Sequence, residues 1–553
     1  MNNNSIIKID KKDGKLAIAH FYVAFSALLL GGLAGLLQVL VRSGKVTLPL
    51  GINYYQVLTV HGVLLGLVLT TFFIIGFLFA SMSRTSGTLS NGVRKTGWIG
   101  FWVMTIGTAL TATFILLGEA SVLYTFYAPL KAHPGFYIGL TLVVVGSWIS
   151  GFAMFAHYAK WKKSNPKQVG PLLSFMAIIT MVLWLISTLG VAATALFQYI
   201  PWSLGFVDRI DVLLSRTLFW YFGHPLVYFW LLPAYMAWYV IIPKILDTPI
   251  FSDSLARMSF ILFLFFSIPV GLHHQLLEPG VDPSWKYVQV VLTFMVIIPS
   301  LMTAFSMFAT FERYGRKKGA TGLFGWFRVL PWNDARFLAP MIGMLFFIPA
   351  GAGGIVNASN QLNQVVHNTI WVTGHFHLTL ATSVVLTFFG IAYWLIPHIT
   401  GRVFTRELNS LAIIQTITWS IGMFFMSSSM HLEGLQGAPR RSAFSTYFNS
   451  PVSHDWISYQ IAQAVGGSIL FIGIILEIII IINLLFLAPK GETEFPVGES
   501  SNEVEKTPLY FENWKLWIAI TVLLIVFAYS VPLYDMIQNA PIGSKGFTQV
   551  INR

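Results

Sequence analysis

The sequence predicts an all-α polytopic membrane protein: about thirteen transmembrane helices forming one domain over residues 1–553. Three observations carry that reading. Of the 553 residues, 55% are hydrophobic and only 10% charged, and the mean hydropathy is +0.70, which is the balance of a multi-span chain rather than a string of soluble domains. Apolar stretches of about 20 residues, enough to cross a bilayer, recur along the whole chain. Lys and Arg collect in alternate connections between those stretches, as topology requires.

The stretches fall near 16–41, 57–81, 97–118, 135–157, 171–198, 213–243, 258–274, 287–311, 337–357, 369–397, 409–431, 460–488 and 514–537. The first follows a polar, Lys-rich start and runs straight into a long apolar segment, so it reads as a retained helix and not as a cleaved leader. The next five are long and bounded by polar or Gly-containing turns. The seventh, 258–274, is the shortest, and 337–357 is rich in Gly. The last four are full-length, and the Pro, Gly and Glu of 489–508 read as a mobile inner linker before the final helix.

With the N-terminus inside, most of the 34 Lys and Arg lie on inner connections, among them Lys8, Lys11, Lys12, Lys15, Lys160, Lys162, Lys163, Arg316, Lys317 and Lys318. Arg216 lies within a span. The expected topology therefore has a cytoplasmic N-terminus and, after thirteen crossings, a C-terminus outside. The net charge of +12 belongs to loops and points to the inner membrane surface rather than to nucleic acid. No internal repeat supports an inverted-repeat transporter. Zero cysteines exclude disulfides, thiolate ligands, iron–sulfur clusters and covalently attached c-type haem. Any metal must rest on His, Met, Tyr or carboxylate.

Six histidines then stand out. His61 and His224 lie within a few turns of the outer ends of the second and sixth stretches, His273 and His274 close the seventh, and His375 and His377 open the tenth. All six fall in one outer layer of the membrane. An imidazole in hydrocarbon is costly unless paired or bound, and imidazole is a usual ligand of haem iron and copper. Taken alone, His61 reads equally well as a hydrogen-bonded core residue; five companions at its depth weigh against that.

The spacings allow specific chemistry. His375 and His377 sit about 200° apart around a helix, so one helix can offer an imidazole to a group on each side. His61 could then supply the opposite axial ligand to one of those groups. His224 and Tyr228 share a face one turn apart. The pair His273 and His274, beside Pro269 and Gly271, can present two rings together, and three imidazoles with an open position suit copper. Tyr228, Tyr235 and Tyr239 fall at i, i+7 and i+11, one line running inward, and Ser300 and Thr303 share a face of the eighth helix. Such hydroxyls can carry protons toward the metal layer, although any single one reads as ordinary helix–helix hydrogen bonding.

Those residues resemble subunit I of the haem–copper oxygen reductases over nearly the whole chain, and most closely the B-type branch of cytochrome c oxidases. The motifs are Tyr54-Tyr55-Gln56 before His61-Gly62, Gly223-His224-Pro225-Leu226-Val227-Tyr228, His273-His274, and His367-Asn368-Thr369 leading into Gly374-His375-Phe376-His377. The resemblance implies that His61 and His377 ligate a low-spin haem b, and that His375 holds a high-spin haem, a- or o-type. It implies that His224, His273 and His274 hold copper (CuB), and that Tyr228 is joined to His224 and gives a proton and an electron to oxygen. It also implies a proton route through Tyr235, Tyr239, Ser252, Ser300 and Thr303, with Arg440, Arg441, His367 and Asn363 near the haem propionates.

In the A-type branch a glutamate stands where this chain has Leu226, so a single uptake route is implied. Asn363 replaces an aspartate of a B-type relative, and an amide does not titrate. The implied setting is a bacterial or archaeal plasma membrane. The implied partners are O2, the lipid bilayer, cytochrome c and a subunit II carrying the electron-accepting copper site, since no cysteine motif for that site occurs here. Nitric oxide reductase shares the six-histidine scaffold, but it uses non-haem iron with glutamates near the first His and lacks the tyrosine. A transporter would not need six imidazoles at one depth, and a two-haem electron carrier would leave the three-histidine site unexplained.

Overall fold

A computed structural model describes residues 8–49, 51–443, 446–498 and 507–547. Among them are twelve helices long and apolar enough to span a membrane, so the protein is multi-pass. In chain order with one shorter helix they are α1 Lys11–Arg42, α2 Tyr54–Thr85, α3 Asn91–Leu116, α4 Pro134–Ser164, α5 Leu172–Ser203, α6 Val212–Ile245, α7 Asp253–Ser267, α8 Pro283–Lys317, α9 Ala335–Ala358, α10 Ile370–Thr400, α11 Arg406–Leu435, α12 Pro451–Leu487 and α13 Trp514–Gln538.

The expected seventh span needs correcting in one respect. The stretch expected at 258–274 holds α7, only 15 residues long, which begins earlier and stops at Ser267. Pro269 has no amide hydrogen to continue the ladder. The chain turns instead into a short 3-10 segment, Gly271–Gln275, which carries His273 and His274. The pair thus sits on a tight turn beyond the helix, not in its last turn. The linker is corrected as well. Residues 489–498 are tied down: Val403 N donates to Pro489 O at 3.0 Å, Gly491 N to Gly401 O at 3.1 Å and Gly498 N to Val240 O at 2.7 Å. Residues 499–506 of that expected mobile stretch lie outside the described residues.

Helix starts follow local chemistry. Asn53 Oδ1 accepts from Gln56 N at 2.7 Å to open α2, Asp211 Oδ1 from Leu214 N at 2.9 Å to open α6, and Thr369 Oγ1 from Trp371 N at 3.3 Å to open α10. Each cap satisfies a first-turn amide at the end of the helix that bears a histidine. Small residues then let backbones touch: a Cβ on Gly107 would come within 2.5 Å of Gly139 O, joining α3 to α4, and one on Gly466 within 2.7 Å of Gly422 O, joining α12 to α11.

The histidine helices are the innermost. In α2, α6 and α10, 89% of the central window is buried, against 28% in α13 and 33% in α3. A helix that is apolar all round belongs at the centre of a bundle. Two of the three carry π-helical turns beside their histidines, at Val63–Leu69 and His377–Val384. Such wider turns are frequent at functional sites. One consequence is visible in α10, where Thr382 Oγ1 donates back five residues to His377 O at 3.3 Å.

Candidate metal and proton-transfer site

All six predicted histidines line one continuous, mostly apolar cavity of about 660 Å³ between α1, α2, α6, α8, α9, α10, α11 and α12. His61 and His377 face each other across it with nearly parallel rings, centroids 6.0 Å apart and planes 14° apart. Each is aimed by a hydrogen bond behind it: His61 Nδ1 donates to Gly31 O at 2.9 Å, and His377 Nδ1 donates to Thr373 O at 2.8 Å. That fixes the tautomer and leaves both Nε2 atoms as acceptors, as expected of metal-ligating imidazoles. Gly35 gives His61 its room, because a Cβ there would lie 2.7 Å from the ring.

His375 turns to the other side of α10. Its ring lies parallel to Trp371 with centroids 5.9 Å apart, and Gly353 of α9 leaves it space, an added Cβ meeting Nδ1 at 2.5 Å. Its buried Nδ1 has no hydrogen-bond partner among the described residues.

His224, His273 and His274 form a group whose ligand atoms lie within 4.8 Å of one another. The His224 and His273 rings meet edge to face with centroids 4.4 Å apart, and His274 stacks on Trp220 at 3.7 Å and 7°. His273 Nδ1 donates to Thr293 Oγ1 at 3.0 Å, and that hydroxyl donates onward to Gln289 O at 2.6 Å. His273 Nε2 is thereby left to bind. His224 Nε2 is buried without a partner among the described residues. His224 Nδ1 lies 3.2 Å from His274 Nε2, and three convergent imidazoles are a donor set that fits copper. Tyr228 sits one turn below, its ring 5.0 Å from that of His224.

The hydroxyl row is largely assembled. Tyr239 Oη donates to Thr303 Oγ1 at 3.0 Å, and Tyr235 Oη lies 3.5 Å from Ser300 Oγ. Ser300 and Tyr228 both line the cavity, so the row reaches it. Ser252 stands at the far end, where it caps α7 by accepting from Leu255 N at 3.2 Å.

At the histidine end of the cavity, Asn363, His367, Arg440 and Arg441 all contribute to the wall. His367 Nδ1 donates to Asn363 Oδ1 at 3.0 Å, and Arg440 Nη2 donates to Asn368 Oδ1 at 2.8 Å. Asn368 and Arg441 hold positive φ, 58° and 65°, and the arginine carries the greater strain. Burial, helped by the nearby charge of Arg440, holds His367 below its ordinary imidazole range.

Several residues here were not singled out from sequence. Thr293 and Trp220 support the three-histidine group, and Arg216 forms a 2.7 Å ion pair with Glu278 beside His367. Ser259 of α7 joins the Tyr239 hydroxyl at 3.3 Å, and Ser306 is buried one turn beyond Thr303. Ser306 extends the i, i+3 row already read from Ser300 and Thr303, so its signal was present. Thr293 offered none.

A buried three-imidazole site, a facing pair of imidazoles and a further histidine in one membrane cavity define the haem–copper terminal oxidases. The chain belongs to the family described as cytochrome c and quinol oxidase polypeptide I, whose model matches residues 15–469. It is 40% identical over 537 residues to cytochrome c oxidase subunit 1 of Thermus thermophilus, covering 94% of this chain and 95% of that one. The subunit 1 of Thermostichus vulcanus is 27% identical over 530 residues, covering 92% and 90%. A cryo-EM structure of a heme-copper terminal oxidase dimer matches with a TM-score of 0.92 and 37% identity, covering 98% of this chain and 96% of that one. The protein is therefore the catalytic subunit of a respiratory cytochrome c oxidase, which reduces O2 and pumps protons. It works with haems and copper, beside a second subunit and cytochrome c.

Proposed function

We propose that His61 and His377 would hold a low-spin haem b, that His375 would hold a high-spin haem, a- or o-type, and that His224, His273 and His274 would hold copper. When bound, the high-spin haem and copper supply the electrons with which O2 is reduced. The observation that carries the assignment is the group of three imidazoles with Tyr228 one turn away.

The chain's own residues do the rest. Gly31 O and Thr373 O orient the two facing imidazoles, and Thr293 orients His273, so the ligands meet the metals without rearrangement. Tyr228 holds a proton beside the copper ligands and delivers it with an electron; its joining to His224 belongs to the same proposal. Thr303, Tyr239, Ser300 and Tyr235 pass protons toward it, with Ser252 at the far end. The apolar side chain of Leu226 holds no proton, so this is the single uptake route to the three-imidazole site. Arg440 and Arg441 neutralise the haem propionates, while His367 and the neutral Asn363 line the same wall.

The pattern is that of the B-type branch, in one domain over 1–553, with the N-terminus cytoplasmic and the C-terminus outside. Electrons arrive from cytochrome c through the copper site of subunit II. Among the described residues no carboxylate joins the three imidazoles, which favours copper over the glutamate-supported iron of a nitric oxide reductase. His273→Ala and His61→Ala test the assignment. The first should lose copper and O2 reduction but keep the low-spin haem spectrum, and the second should lose that spectrum. Full copper loading and turnover in His273→Ala would overturn it.

A further inference from the structure

Four buried or nearly buried carboxylates in the helical bundle have a cation. Asp13 faces Arg94 Nε at 2.7 Å, Glu433 faces Arg42 at 3.4 Å, and Asp253 and Glu512 share Arg257 at 2.5 and 3.9 Å. Glu477 of α12 differs. It is fully buried in the run Ile-Ile-Leu-Glu477-Ile-Ile-Ile, and among the described residues no Lys, Arg or His pairs with it. Its Oε2 accepts from the Tyr393 hydroxyl of α10, while its Oε1 is buried without a partner among the described residues.

From α11, Gln415 and Thr416 face the same pocket. Gln415 Oε1 lies 3.4 Å from Tyr393 Oη, and Gln415 Nε2 lies 3.5 Å from Gly473 O. The α1 residues on α12, Gly32 against Ile474 and Val39 against Gly467, are apolar, and Arg402 at the far end donates to the carbonyls of Leu485 and Ala488. A carboxylate so placed has no compensating charge, so its proton affinity follows the nearest charge that changes.

That charge lies above it. Ile474, three residues and about 4.5 Å up α12, lines the cavity holding His61 and His377. Trp419, about 6 Å up α11 from Gln415, lines it too and donates from Nε1 to Ala381 O, one turn below His377. We propose that Glu477, held by Tyr393, is a proton-binding site whose occupancy follows the electron on the low-spin haem. When one electron arrives at that iron from the electron-donating partner, one proton from the aqueous phase adds to the Glu477 carboxylate. When the electron leaves, the proton is released and the Tyr393 hydroxyl supports the anion.

The inference rests on the assignment of His61 and His377. The test is the reduced-minus-oxidised infrared difference spectrum of the holoenzyme, with the midpoint potential of the low-spin haem measured against pH. The wild type should show a carboxylic-acid C=O band that shifts in heavy water. In Glu477→Gln, isosteric and neutral, the band should vanish and the pH dependence of the potential should flatten. In Tyr393→Phe the band should persist and move to higher frequency. A normal low-spin spectrum with no band sensitive to Glu477→Gln, or with an unchanged pH dependence, would overturn this inference alone. Absence of a two-histidine low-spin spectrum in the wild type would instead overturn the assignment beneath it.

Discussion

Thr293→Val separates a supporting role from a ligand role at the copper site. Valine keeps the shape of threonine but removes the hydroxyl that accepts from His273 Nδ1 at 3.0 Å. His273 is 3% exposed, so water does not replace the lost acceptor. A buried donor left unsatisfied costs about 1–3 kcal/mol. Loss of a hydrogen bond behind a metal-ligating imidazole typically lowers metal affinity about 10–100-fold, which is about 1.4–2.8 kcal/mol and agrees with that cost. The assay is copper retention against a graded chelator in detergent-purified enzyme. The low-spin spectrum serves as an internal control, since Thr293 touches neither His61 nor His377. Copper affinity should fall within that range while the spectrum stays unchanged. Unaltered copper affinity would show that the Thr293 bond does not orient His273, and the tautomer argument for the site would fail.

Three further outcomes are expected. Tyr228→Phe should retain both haems and copper but lose nearly all O2 reduction, because a phenyl ring gives neither proton nor electron; near-normal turnover would make the tyrosine structural. Thr303→Val removes the partner of Tyr239 Oη at 3.0 Å, so turnover and proton release in vesicles should fall together; wild-type values of both would reveal another route. Gly353→Ala puts a Cβ 2.5 Å from His375 Nδ1, so the high-spin haem should be lost or its spectrum shifted while the His61–His377 signature stays; an unchanged high-spin spectrum would misplace His375.

The helices and the six imidazoles were legible in the sequence because a membrane makes polarity conspicuous. A lone His in an apolar run is a large signal, and all six proved to line one cavity. The bounds of α7 were less legible. The apolar run continued past Ser267, but Pro269 and Gly271 ended the helix, and a hydropathy count does not weigh that break. The π-turns after His61 and at His377 had no sequence signature. Thr293 was invisible for a similar reason: it meets His273 only when α8 folds beside the turn after α7. Glu477 is the opposite case. The rule that singled out the histidines applies to it equally, as a lone ionisable group in a run of isoleucines, but it was not singled out from sequence; the hydrogen bond from Tyr393 and the nearby cavity gave it a role.

The central claim is that, in one cavity, His61 and His377 would together hold one haem iron, His375 would hold a second and His224, His273 and His274 would hold copper. Metal analysis of the purified holoenzyme, combined with carbon monoxide difference spectra of its reduced form, tests it most directly. Two haem irons and one copper per subunit should be found, with carbon monoxide binding one haem only. Non-haem iron in place of that copper, or carbon monoxide binding to neither haem or to both, would contradict it.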